Sequence, residues 1–140
     1  MDEVPVYRPA RGNIDVVLHR VEAALVVATE IHSQLRRLEQ QLGWAALKAD
    51  SLGSAEFWRY VGDDVTTSRL LVLRSTRATR ELAIRFEETL RTAYPAPAGA
   101  VHAAILGEAP WPGSGLLWAD LVGDRVRILD RPPRTVHLGR

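Results

Sequence analysis

The chain has 140 residues, 46% of them hydrophobic and 25% charged, and it contains no cysteine. That is the size and make-up of one ordinary globular domain, able to bury a core without disulfides, and it excludes thiolate metal sites and cysteine nucleophiles. The net charge is only +1 but is unevenly spread: residues 1–65 carry 7 basic and 10 acidic side chains, residues 66–140 carry 11 and 7.

In chain order, residues 1–12 read as an extended arm, because Pro5 and Pro9 forbid a helix there. With Asp2, Glu3, Arg8 and Arg11 in it, this stretch has no apolar core and is not expected to be a signal peptide. Asn13 is a suitable N-cap. From Ile14 a heptad begins, with Ile14, Val21, Ala28, Leu35 and Leu42 at one position and Val17, Ala24, Ile31, Leu38 and Ala45 at the other. This periodicity predicts one helix over residues 14–49. Leu18, Leu25, Val26 and Val27 widen the stripe in its first half. Residues 29–41 narrow to a seam that should face a single neighbour, as in a coiled coil. Residues 16–28 are the most apolar stretch, but His19, Arg20 and Glu22 make it too charged and too short to span a bilayer.

Ser54 can cap a second helical stretch. It is interrupted at Gly62, Asp63 and Asp64, restarts at Thr66 or Thr67, and runs to about Ala93. At 100° per residue, Leu71, Ala78, Leu82, Phe86, Leu90 and Ala93 share one side and Arg69, Arg74, Arg77, Arg80, Arg85 and Arg91 the other. Two long segments with a short connection predict an antiparallel helical hairpin over residues 14–94. A short helix is expected over residues 98–106, with Gly107 at the position where a terminating glycine belongs. Gly123 and Asp124 then join two apolar runs as a β-hairpin, which sets Leu121 opposite Val126, Asp120 opposite Arg127 and Ala119 opposite Ile128. Two strands are marginal alone, so Leu117, Leu121, Val126 and Ile128 should be covered. The expected fold class is therefore mainly α: a long antiparallel helical hairpin, then a short helix and a C-terminal two-stranded β-hairpin (residues 98–130), then a basic tail (131–140), in one domain.

Catalytic chemistry finds little footing. His19, His32, His102 and His137 lack the spacing of a zinc pair. There is no Gly-x-Ser-x-Gly, P-loop or dinucleotide fingerprint, and Gly113, Ser114 and Gly115 sit among prolines as a turn. No catalytic residue, metal or cofactor is expected. The first functional reading is a non-catalytic interaction or adaptor protein, a homo-oligomer joined through Ile31, Leu35, Leu38 and Leu42, with a further protein partner that the residues do not identify. The second is a nucleic-acid-binding regulator. Of the 18 basic residues all but Lys48 are arginine, whose guanidinium forks suit phosphate and carboxylate, although a GC-rich coding sequence produces the same bias. Arg69, Arg74, Arg77 and Arg80 are interleaved with Thr66, Thr67, Ser68, Ser75, Thr76 and Thr79 and no acid, and Arg131 and Arg134 lie in the tail. Arginine with hydroxyls on one face suits phosphate contacts; a solvated face balanced by Glu81, Glu87 and Glu88 is the plainer reading. Residues 65–71 resemble the recognition helix of a helix-turn-helix protein, but the preceding segment lacks the glycine spacing of that motif. Trp44, off the heptad seam, either packs under the C-terminal hairpin or anchors an interface. No membrane partner is expected, and the expected location is cytoplasmic.

Overall fold

The computed structural model describes residues 3–140. It is a mixed α/β chain, not a mainly α one. In chain order it has β1 (Val4–Val6), β2 (Gly12–Ile14), β3 (Val16–Arg20), β4 (Leu25–His32), α1 (Leu38–Asp50), β5 (Thr66–Arg74), α2 (Arg77–Arg85), α3 (Glu87–Ala93), α4 (Ala98–Ile105), β6 (Gly115–Val122) and β7 (Arg125–Ile128). β1 and β2 form a two-stranded sheet, and the other five strands form one sheet in the order β3-β4-β5-β6-β7.

The expected helical hairpin and its coiled-coil seam are therefore corrected. Residues 14–32 are strands, and helix begins only at Leu38. Leu25 to Glu30 are all buried. A strand covered on both faces shows a continuous apolar run, which satisfies a heptad template as easily as a helix does. The residues themselves lean towards strand, since Val16, Val17, Val26 and Val27 are β-branched. Residues 66–74, expected to be helix, are likewise a strand. Leu70, Leu71, Val72 and Leu73 are buried without a break, as in a central parallel strand, and the exposed threonines before them belong to a strand start rather than a helix cap.

The fold divides into two compact units. One holds the described residues up to Glu30 with Arg37–Arg69; the other holds Ile31–Arg36 and Leu70–Arg140.

In the first unit the described part of the expected extended arm carries β1, which pairs antiparallel with β2, Val4 with Ile14 and Val6 with Gly12; residues 1 and 2 of that arm lie outside the described residues. β3 and β4 form a second antiparallel pair, from Val16 opposite Thr29 to Arg20 opposite Leu25. The core joins Val6, Ile14, Val26, Ala28, Ala49, Leu52 and Ala55, with Val4, Val17, Phe57 and Trp58 packed against it. Leu38, Leu42, Ala45, Lys48 and Ala49 form the buried stripe of α1. Two serines tie the segment after β1 to the turn after α1. Ser54 Oγ accepts the backbone N–H groups of Tyr7 (2.8 Å) and Arg8 (3.1 Å), and Ser51 Oγ accepts that of Ala10 at 2.9 Å. Trp44 is 44% exposed. Its ring edge passes so close to Gly12 that a Cβ there would lie 3.2 Å from Trp44 Cζ2 and from Lys48 Cδ.

In the second unit β5 runs parallel to β6, Leu70 beside Gly115 through Arg74 beside Ala119. α2, α3 and α4 lie between these strands in the chain. Thr76 caps α2 in a reciprocal arrangement: its side chain accepts the Thr79 N–H, and the Thr79 hydroxyl accepts the Thr76 N–H. α4 covers the expected short helix, and Gly107 follows it at φ +77°. The β6–β7 hairpin has the expected register, with Leu121 opposite Val126, Asp120 opposite Arg127 and Ala119 opposite Ile128. The expected cover is incomplete: Leu117 is buried, but Leu121, Val126 and Ile128 are exposed. The tail is folded back. Val136 and Leu138 are buried, the Gly139 carbonyl accepts the Ala98 N–H at 2.9 Å, and Arg140 donates to the carbonyls of Val136 and Pro133.

Candidate functional site

The four residues expected to form a self-association seam do not share a helix face. Ile31 is exposed near the end of β4, Leu35 lies in the connection after it, and Leu38 and Leu42 are on α1. Leu35, Leu38 and Leu42 are each less than 10% exposed, buried within the chain itself. The six arginines of the nucleic-acid reading are also dispersed. Arg69 is half-buried within β5, and Arg74 is exposed at its end. Arg77 opens α2 and pairs with Glu81 at 3.0 Å. Arg80 donates to Ser75 Oγ at 3.0 Å. Arg131 lies 3.6 Å from Asp130, and Arg134 is exposed with its carbonyl turned to Arg140.

One of these arginines does enter a pocket. In the second unit, Ser33, Gln34, Leu35, Arg36, Arg74, Thr76, Ala78, Thr79 and Leu82 surround a cavity of about 400 Å³. The chain builds it at the carboxyl end of β5, where the strand gives way to the Thr76 cap of α2. Ligands of parallel sheets favour that end of a strand. Arg36 is oriented from its own segment: its Nε donates to Gln34 Oε1 at 3.0 Å. Thr79 is 2% exposed, and its hydroxyl donates to the Arg74 carbonyl at 2.6 Å, which fixes the backbone that carries Arg74. The lining holds two guanidinium groups, hydroxyls and an amide, and no acidic side chain. The positive end of α2 adds to the same sign of potential.

A second polar cluster lies in the first unit. Glu30 and Lys48 are 4% and 8% exposed, and Lys48 Nζ is 2.6 Å from Glu30 Oε1. The same ammonium donates to the Asn13 carbonyl at 2.8 Å. Burial pushes the Glu30 carboxyl up to about 7, against the pull of Lys48, and the neighbouring Asp15 carboxyl adds to the rise. The cluster is a buried ion pair whose charge state changes near neutrality.

Ser33, Gln34 and Arg36 are not legible as site residues in the sequence, because the heptad runs through them as one expected helix. Glu30 and Lys48 are not legible as a pair for the same reason. A charged residue inside the apolar run Leu25 to Ile31 was a usable signal, since a buried carboxylate needs a partner, and Lys48 is the lone lysine of the chain.

Compared with known proteins, the chain matches no family profile, no curated protein and no solved structure. Among the described residues, no helix is long and apolar enough to cross a membrane.

Proposed function

We propose that this chain is a non-catalytic binding module for phosphate-bearing ligands, that its partner is a nucleic-acid strand, and that the pocket at the end of β5 takes one backbone phosphate. The observation that carries the reading is the lining of that pocket: Arg36 and Arg74 with Ser33, Gln34 and Thr76, and no carboxylate. Guanidinium forks match phosphate oxygens in charge and geometry, and hydroxyl and amide donors complete such contacts. The pocket departs from the arginine face expected from sequence. Arg74 stays, Arg36 enters, and Arg77 and Arg80 are engaged by Glu81 and Ser75. With nucleic acid as the partner, a cytoplasmic location belongs to the same reading.

The test is a fluorescence-anisotropy titration with short single- and double-stranded oligonucleotides over a range of salt. Arg74 is exposed and Arg36 lies on the surface of its segment, so Arg36→Gln with Arg74→Gln should leave the thermal transition nearly unchanged. The double variant should lose affinity for every sequence alike and show a salt dependence shallower by about 1 in log–log slope, the share of the one phosphate lost. Failure of the wild-type protein to retain DNA or RNA at low salt ends the proposal, and so does an unaltered double variant.

A further inference from the structure

A larger cavity in the first unit has the opposite character. It measures about 520 Å³ and is lined by Glu3, Val4, Pro5, Tyr7, Val17, His19, Glu56, Phe57 and Tyr60. Three of these are aromatic and two are acidic; none is lysine or arginine, in a chain with 18 such residues. Its floor is apolar: Val4, Val17 and Phe57 pack on the core of this unit, and Phe57 meets the Trp58 ring edge-on at 6.0 Å between centroids. The Tyr7 wall is held by the Ser54 hydroxyl on its backbone N–H. Tyr7 and Tyr60 nevertheless leave 47% and 78% of their surface exposed. Large amphipathic rings held open beside two carboxylates are poorly explained by core packing.

We propose that this cavity binds an organic cation, specifically the guanidinium head of an arginine side chain presented by a small molecule or a peptide. A planar cation is attracted to aromatic faces and paired by carboxylates, while its methylene stem lies against an apolar floor. The chain already shows the mode at the rim. The Arg59 guanidinium carbon is 5.7 Å from the Tyr60 ring centroid, and Arg59 lies 3.9 Å from Glu56. That internal pair is open to solvent on both sides, so its strength is small and an incoming guanidinium can compete for the same ring and carboxylate. This site shares no lining residue with the arginine-lined pocket, so the two proposals stand or fall separately.

The experiment titrates the intact protein with Nα-acetyl-arginine methylamide and reads the aromatic ring resonances of Tyr7, Phe57 and Tyr60 by NMR. Saturable shifts confined to these rings and their neighbours are expected, with a midpoint on the order of millimolar for a single side chain. The citrulline analogue, isosteric but uncharged, should produce no saturable shift. Tyr60→Ala and Glu56→Gln change exposed side chains, so the fold should hold, and each should weaken binding roughly two- to fivefold. A Gly-Ser hexapeptide with one central arginine separates the sources. Tighter binding than the amide assigns the site to a peptide arginine, and equal binding assigns it to a free guanidinium compound. The proposal is overturned if the arginine amide reaches its solubility limit without a saturable shift. It is equally overturned if citrulline binds as well, or if both variants bind like the wild type.

Discussion

At Glu30 and Lys48 a single buried pair couples stability to pH. The folded chain holds the Glu30 carboxyl at about 7 against an ordinary 4.5. Between those values the folded state keeps a proton that the unfolded state has released. The stability this group contributes is therefore full below about pH 4.5 and is lost as the pH rises through 7, an effect of roughly 3 kcal/mol across the window. Urea denaturation at pH 5 and pH 8 should show the drop in the wild type and a much flatter profile in Glu30→Gln; an unchanged profile in the variant contradicts the assignment. Lys48→Met should cost about 3–5 kcal/mol at pH 8, where it leaves a buried carboxylate without its cation, and much less at pH 5. Gly115 is a steric counterpart. A Cβ at that position would overlap Val101 Cγ2, so Gly115→Ala should destabilise by about 1–3 kcal/mol, measured by thermal unfolding. Leu35 illustrates the corrected seam. Because it is 7% exposed within the chain, Leu35→Asp should lower the melting temperature rather than change the sedimentation coefficient of the folded protein.

The β6–β7 hairpin makes the corresponding argument for an element. Its register follows from a two-residue loop with Gly123 at φ +66°, a local constraint that needs no knowledge of the rest of the chain. What covers it is a different matter. The first five residues of β6 are buried beside β5, whereas all four residues of β7 are exposed. Leu117→Ala should therefore cost about 2–5 kcal/mol, and Val126→Thr, at a side chain 66% exposed, should stay within about 0.5 kcal/mol. Amide exchange should be slower along residues 116–119 than along 125–128. Equal costs for the two substitutions would mean that something covers β7 in solution. The edge itself carries Arg125 and Arg127, with Arg127 3.7 Å from Asp120, and such charges discourage edge-to-edge pairing.

For the whole molecule, the charge asymmetry noted in the sequence persists in the fold. Arg77, Arg91, Arg127 and Arg131 pair with Glu81, Glu87, Asp120 and Asp130. These are acids of the same half, so their pairing leaves the basic excess of residues 66–140 in place. Among the acids of the first half, Glu30 meets Lys48 and Glu56 meets Arg59. If the arginine-lined pocket is the principal contact, the one phosphate it takes is neutralised, and the logarithmic salt slope should be shallow, at roughly −0.7 to −0.9. A much steeper slope would add the exposed Arg134 or other basic residues to the interface. A flat one would remove phosphate binding altogether.

Composition, charge distribution, the C-terminal short helix and the hairpin register were legible from sequence, because each rests on neighbours close in the chain. The long helices were not. A buried strand such as β4 or β5 loses its two-residue alternation when both faces are covered, and what remains is an apolar run that either period can claim. Which elements cover those faces is a property of the tertiary structure. So are the pairing of Glu30 with Lys48, 18 positions apart, and the meeting of Arg36 with Arg74, 38 apart, around one cavity. The arginines and hydroxyls were visible in the residues, but which of them line one cavity was decided by the turn at the end of β5. That turn carries Arg74 and Thr76 to the pocket and sends Arg77 along α2 towards Glu81.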